Sequence, residues 1–407
     1  MPISVILFLY TFQDFSNEII YYNSGVYDEE WEAVEDTVTP GSRDYYMDDD
    51  ILAVLYGIEE PPTLLLIDPN TNELMHEVQI TNDAESYYGL NILGVYDGKL
   101  YIADSCGSMI LHEIDLERGT ETSTVICDNY SYFTDYTALE NGRVYYLHHD
   151  VNEKVFGIYD IESENTEEFT LNVDSFSDLQ VIPTFIDDMD LIYVAAHNMN
   201  YMIDTTNGNE IRVDLPEGSN DIICVVPDVE SEHVVVANGS DIMFVNRQGE
   251  VDYSVSTEGK HPVGIDILTN EEDGTRILVA AYANGSLGRY DPDTGAVIGM
   301  TDISSYIDHL TPATFQPDWD NGYLYIQFDM LTDVINMNTW YEEAYLTDCF
   351  GHHIPTDRFY CTSSAVAGEE EVGYFRHYTV QELVDRAYAI VGEDAEMPEY
   401  LRARYGL

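Results

Sequence analysis

Two cysteines and two histidines near the C-terminal end carry the clearest chemistry in this chain. Cys349, His352 and His353 lie in the run CFGHH, and Cys361 follows in DRFYC. Thiolate sulfur and imidazole nitrogen are donors that zinc prefers, so these four residues are the candidate metal ligands. The competing reading makes them polar loop residues at a junction between structural units, because structural zinc motifs space their ligands more tightly. A second histidine pair, His148-His149-Asp150, follows the strand-like run RVYYL. Asp68-x-Asn70-x-Asn72 and Asp291-x-Asp293-x-Gly295 are fragments of calcium loops that lack the glutamate and glycine spacing of an EF-hand. Tight-turn chemistry accounts for both. The run Asp48-Asp49-Asp50 reads as the solvated start of a strand, offering weak divalent-cation binding at most; no other cofactor is expected.

No Gly-x-Ser-x-Gly elbow, P-loop or dinucleotide fingerprint occurs, and no catalytic residue is assigned; a Ser, His and Asp set assembled by folding stays open. The aromatic pairs Tyr87-Tyr88, Tyr132-Phe133 and Tyr145-Tyr146 are of the kind that line ligand sites. At alternating strand positions the same residues pack sheets together, which is the commoner use.

The charge balance narrows the partners. The chain has 77 acidic and 15 basic residues, a formal charge of -62, and its only lysines are Lys99, Lys154 and Lys260. Such a polyanion repels phosphate backbones and anionic lipid, so nucleic acid is excluded as a partner and cationic proteins or divalent ions are favoured. Salt adaptation and an acidic secreted or surface protein explain the composition equally. Five cysteines (Cys106, Cys127, Cys224, Cys349, Cys361) are too few for a disulfide framework. Cys224, in IICVV, reads as a core residue, and Cys349 with Cys361 is the one pair placed to form a disulfide in an oxidising compartment. Residues 1–17 contain an apolar run, Ile3 to Phe12, shorter than the roughly 20 residues a membrane span needs. It reads either as a buried strand or as the remnant of a longer leader or anchor. That leaves the compartment open between cytoplasm and a cell-surface or secreted location.

These residues are positioned by a repeat of strands. Apolar runs bounded by Gly, Asn and Asp recur about every 40 residues. Units begin near Ile51, Leu90, Thr137, Leu179, Asp221, Pro262 and Leu310, with a partial unit near Ile354. Each third strand ends in an acidic or polar turn: IDPNTN, IDLERG, YDIESE, IDTTNG, VNRQGE, YDPDTG and INMNTW. Four-stranded blades around an axis explain this cadence, so the expected fold is an all-β propeller over residues 18–378. Eight blades are preferred, one built from both chain ends with a strand near EIIYYNSG closing it; seven is the alternative. Residues 379–407 form the expected helical tail. Thr379 and Glu382 make a capping box, a short second helix starts at Pro398, and Arg402 and Arg404 make the last stretch, MPEYLRARYGL, locally basic.

The run at 274–299, GTRILVAAYANGSLGRYDPDTGAVIG, resembles a repeat of the WD40-like and quinoprotein-like (PQQ-like) propeller superfamily. In that superfamily an Asp-Gly-x-x-Ile/Leu strand leads to a Tyr/Trp-Asp-x-x-Thr-Gly turn. The likeness extends in period over about residues 51 to 380 and is closest in residues at this one repeat, with Tyr290-Asp291 standing where WD40 repeats carry Trp-Asp. Only Trp31, Trp319 and Trp340 are present, too few for the recurring docking tryptophans of quinoprotein dehydrogenases, and the sialidase Ser-x-Asp-x-Gly-x-x-Trp box does not occur. The tail is similar to segments that follow propellers in bacterial multidomain signalling and NTPase proteins, which implies a sensor or scaffold within a larger system. The resulting expectation is a non-catalytic, strongly acidic platform for protein–protein interaction. A metal-dependent hydrolase or lyase at the central channel is the first alternative, and a glycan-binding surface protein the second.

Overall fold

The computed structural model describes residues 32–39, 42–56, 62–81, 90–105, 108–128, 137–150, 153–171, 182–186, 189–196, 199–216, 222–303, 313–328, 331–347, 349–366 and 369–376. Among them the strands form eight antiparallel four-stranded sheets. Blades 1 to 7 follow the chain: 42–79, 90–128, 137–171, 182–213, 222–256, 262–302 and 313–347. Blade 8 takes Cys349–His353, Arg358–Val366 and Glu369–Arg376 from the C-terminal end, and its fourth strand, Glu32–Thr39, comes from the N-terminal end. The first strands of successive blades pack side by side and form the inner wall, while fourth strands lie outermost.

The core is distributed between the blades. Eight hydrophobic clusters each join two neighbours, such as Leu100 and Ile102 of blade 2 with Leu64 and Leu66 of blade 1. Second strands are therefore buried on both faces, as in HVVVAN (233–238), and read as continuous apolar runs. Fourth strands have only one covered face and alternate, as in VDYSVS (251–256). The last interface closes like the others: Leu52, Val54, Leu65 and Ile67 of blade 1 pack on Tyr360, Val372 and Tyr374 of blade 8. Close approach has a local requirement at Gly157, where a Cβ would sit 2.1 Å from the Tyr146 ring.

Three strand assignments differ from the sequence reading. The first unit starts at Ser42–Met47, ahead of Ile51. SRDYYM is an inner strand in which Asp44 to Met47 are half-buried, covered less fully than the runs after it. The closing strand is Glu32–Thr39, paired with Glu369–Arg376, whereas the segment near EIIYYNSG lies outside the described residues. Its sequence, EAVEDTVT, shows no apolar run, and it is the outermost strand of its sheet. CFGHH, read as a loop, is the inner strand of blade 8. The expected helical tail, 379–407, lies outside the described residues, as does the apolar run Ile3 to Phe12. No helix among the described residues is long and apolar enough to cross a membrane.

Candidate functional site: the acidic turn face

Antiparallel pairing puts the turn between strands one and two at the same end of a blade as the turn between strands three and four. The third-strand turns of blades 1 to 7 open with Asp68, Asp115, Asp160, Asp204, Asn246, Asp291 and Asn336. In each, the side chain accepts a bond from a backbone N–H further along the turn. Asp68 Oδ1 accepts from Asn70 N at 2.8 Å, Asp115 Oδ1 from Arg118 N at 2.9 Å and Asp160 Oδ1 from Ser163 N at 2.8 Å. Asp204, Asn246, Asp291 and Asn336 do the same at 2.9, 3.0, 2.9 and 2.9 Å. Both calcium-loop fragments are thus Asx turns, and Asp48 likewise caps Ile51 N at 2.9 Å.

These bonds favour the ionised carboxylates. Backbone donation from Arg118 lowers Asp115, and side-chain donation from Ser163, Thr206 and Thr294 lowers Asp160, Asp204 and Asp291. Burial alone would raise Asp68, but donors from Asn70 and Thr71 outweigh it and its pKa also falls. The first-strand turns add Asp97, Glu230, Glu232, Asp273 and Asp320 to the same face. Among its cations, Arg118 pairs with Asp115 at 3.0 Å and Arg276 with Asp228, with Asp293 at 2.8 Å and with Glu230 at 3.4 Å, while Arg247 stands in the blade 5 turn. One end of the propeller is therefore lined with ionised carboxylates.

The four candidate metal ligands lie in blade 8, and the strand pleat divides them. Cys349 stands opposite Cys361 and His352 opposite Phe359. Cys349, Phe359 and Cys361 face blade 7 in one cluster, and His352 lies between the Tyr325 and Phe359 rings, with centroids at 3.9 and 4.2 Å. His353 points the other way. Its Nδ1 meets Thr356 Oγ1 at 2.7 Å and its Nε2 meets the Asp49 carbonyl at 3.0 Å in blade 1. His352 Nε2 lies 3.0 Å from Asp357 Oδ1. The four do not meet as one ligand set, because successive strand residues point to opposite faces. No cluster of three or more His, Cys, Asp or Glu suited to a metal occurs among the described residues. His353 instead belongs to the closing seam, where Arg358 Nη1 donates to the Pro69 carbonyl at 2.8 Å and the Tyr360 hydroxyl donates to it at 3.1 Å. Burial pushes the Tyr360 hydroxyl up to about 12.

Cys349 and Cys361 are thiols, not a disulfide. Tyr145 and Tyr146 are fully buried and pack between blades, while Tyr87-Tyr88 and Tyr132-Phe133 lie outside the described residues. Folding does assemble a Ser, His, Asp chain: Ser231 Oγ is 2.8 Å from His233 Nδ1, and His233 Nε2 is 2.9 Å from Asp252 Oδ2. The Ser231 hydroxyl, however, donates to Asp228, so a carboxylate competes with His233 for its one proton. The sequence reading also passed over His112, a fully buried polar residue in the third strand of blade 2. Its Nδ1 meets Glu121 Oε1 at 2.7 Å, and Glu121 accepts from Thr81 Oγ1 at 2.7 Å, tying blade 2 to blade 1. The signal was a histidine in MILHEID where the unit at Thr63–Asp68 has leucine. On the inner wall Asp44 Oδ2 accepts from Ile92 N of the next blade at 2.6 Å, and burial raises Asp266.

The strand order defines an eight-bladed β-propeller, closed by three C-terminal strands and one N-terminal strand. Among solved structures it is similar to a WD40 propeller, Chaetomium thermophilum Sqt1 bound to the N-terminus of the ribosomal protein L10. That likeness has a TM-score of 0.57 at 12% identity and covers 85% of this chain and 100% of the other. No family model matches the sequence. No curated protein matches it in sequence either.

Proposed function

We propose that this propeller is a non-catalytic platform that holds a cationic segment of a partner protein against its acidic turn face. The observation that carries the reading is the convergence of turn carboxylates on one end of a rigid ring, five of them held ionised by turn hydrogen bonds. Rigid blades suit this role because they fix many loop positions at once, so binding orders little of the platform. Electrostatic attraction supplies encounter rate and selectivity, and screening limits it to about 10 Å at 0.1 M salt. The similar propeller Sqt1 was solved with the N-terminus of a ribosomal protein bound, which supports a peptide segment as the ligand class. This reading takes the WD40-like side of the resemblance and assigns no redox or hydrolytic chemistry.

Titrating a labelled peptide rich in lysine and arginine, and its glutamate-substituted counterpart, tests it. The basic peptide is expected to bind, to weaken steeply between 50 and 300 mM NaCl, and to lose affinity when Asp97, Glu230 and Asp320 are changed to Asn, Gln and Asn. Binding that ignores salt, or equal binding of the acidic peptide, would refute the proposal.

A further inference from the structure

The outer strand of blade 6, Val297–Asp302, stands apart from the other fourth strands. Its sequence is VIGMTD, with a single charge at its last residue. In blades 1 to 5 the outermost strand carries charge within its length: Glu73 and Glu77 in blade 1, Glu121 in blade 2, Glu167 and Glu168 in blade 3, Glu210 and Arg212 in blade 4, and Asp252 in blade 5. That charge is how natural sheets keep free edges from pairing with other chains. Blade 6 lacks the device and also exposes apolar side chains: Val297 at 63%, Ile298 at 53% and Met300 at 40%. Tyr341, starting the adjacent outer strand of blade 7, is 71% exposed.

The edge has a defined geometry. Val297–Asp302 pairs on one side with Ser286–Tyr290 and is the last strand of its sheet. A bulge at Ile298 separates Val297 from Gly299, after which Gly299 to Asp302 run in regular register. Arg289, opposite Gly299, lays its charged group over that glycine. Its guanidinium fills the space a Gly299 side chain would take and stacks on Trp340 at 4.4 Å. Carboxylates bracket the uncharged stretch: Asp291 and Asp293 in the turn before it, and exposed Asp302 at its end.

We propose that this strand is a docking edge for an extended segment of a protein partner, apolar in its middle and basic at both ends, which adds to blade 6 as a fifth strand. Main-chain bonds to the free edge supply pairing, Val297, Ile298, Met300 and Tyr341 supply apolar contact, and the bracketing carboxylates select the flanks. The six-residue strand spans roughly 20 Å, which fixes the spacing of the basic flanks. A second copy of this chain is disfavoured as the occupant, since each copy carries a charge of -62 and acidic outer strands. The inference rests on the interaction role proposed above and deepens it with a second contact surface.

A short labelled peptide of alternating valine and threonine with two lysines at each end is the probe, titrated against the full chain. Ile298→Lys/Met300→Lys places charge on the edge, and Ile298→Thr/Met300→Thr removes apolar contact without changing charge. Both pairs are solvent-exposed positions, so folding is expected to be retained. Wild type is expected to bind, with hydrogen exchange slowed at Met300–Asp302; the lysine pair is expected to weaken binding at least about tenfold and the threonine pair about threefold. The same peptide with a central proline, which cannot complete a ladder, is expected to bind at least tenfold more weakly. No binding, equal affinity for the lysine variant, equal affinity of the proline peptide, or slowed exchange only at other blades would each overturn the docking edge. The uniformly basic peptide of the preceding test reports separately. Loss of the edge peptide with retention of that one leaves the turn face standing, and the reverse result removes the turn face alone.

Discussion

Arg276 joins blades 5 and 6, and replacing it tests how the acidic turn face is held together. Its guanidinium bonds Asp228, whose side chain is only 1% exposed, and reaches Asp293 at 2.8 Å and Glu230 at 3.4 Å. Arg276→Met leaves the Asp228 carboxylate buried without a cation, a situation that costs about 3–5 kcal/mol. Two features place this case at the lower end. Asp228 keeps the Ser231 hydroxyl and a 3.4 Å bond from Ser231 N, and the Asp293 and Glu230 side chains, 68% and 60% exposed, are solvated by water. The expected loss is therefore about 3 kcal/mol. Urea denaturation at pH 7 with a constant m-value is the assay. Asp228→Asn removes the stranded charge, so the double variant should be less destabilised than the sum of the singles by about 1–2 kcal/mol. Because the pair is buried, raising NaCl from 0.15 to 0.5 M should leave the loss nearly unchanged. A loss under about 0.5 kcal/mol, or strictly additive singles, would refute the reasoning.

Three further outcomes follow from the same geometry. Asp68, Asp115, Asp160, Asp204 and Asp291 all have folded pKa values below the usual range. Their stabilisation is thus fully present above pH ~4 and lost as pH falls through the folded values; urea midpoints should drop below pH 4, and less steeply in Asp160→Asn/Asp204→Asn. Self-repulsion at a charge of -62 is relieved by screening, so the melting temperature should rise with NaCl or calcium; a flat salt response would contradict this. Gly157→Ala puts a Cβ 2.1 Å from the fully buried Tyr146 ring and should cost about 1–3 kcal/mol by denaturation, whereas a neutral result would mean the ring moves freely.

The blades were readable because their physics is local. Second strands buried on both faces give runs such as KLYIAD and HVVVAN, and each third strand ends in an Asp or Asn that must cap its own turn. The outermost closing strand was not readable. EAVEDTVT lacks an apolar run because its place is set by pairing with residues more than 300 positions away. The placement of CFGHH was hidden for a related reason: donor types alone do not show that the pleat sends His352 toward Tyr325 and His353 toward Asp49. The turn face was legible only as separate acidic turns, since bringing them to one end is a property of the ring. The docking edge of blade 6 depends on which strand lies outermost, which no window of residues reveals.

Closure of the ring is the claim on which the acidic face depends, and a cross-link tests it most directly. Val38 and Glu371 are paired across the first and last described strands. With cysteines at both positions, mild oxidation should join them within one molecule, detected as the 38–371 peptide pair by mass spectrometry and as a raised unfolding midpoint. Absence of that pair, or cross-links formed only between molecules, would contradict an eight-bladed ring closed by its N-terminal strand.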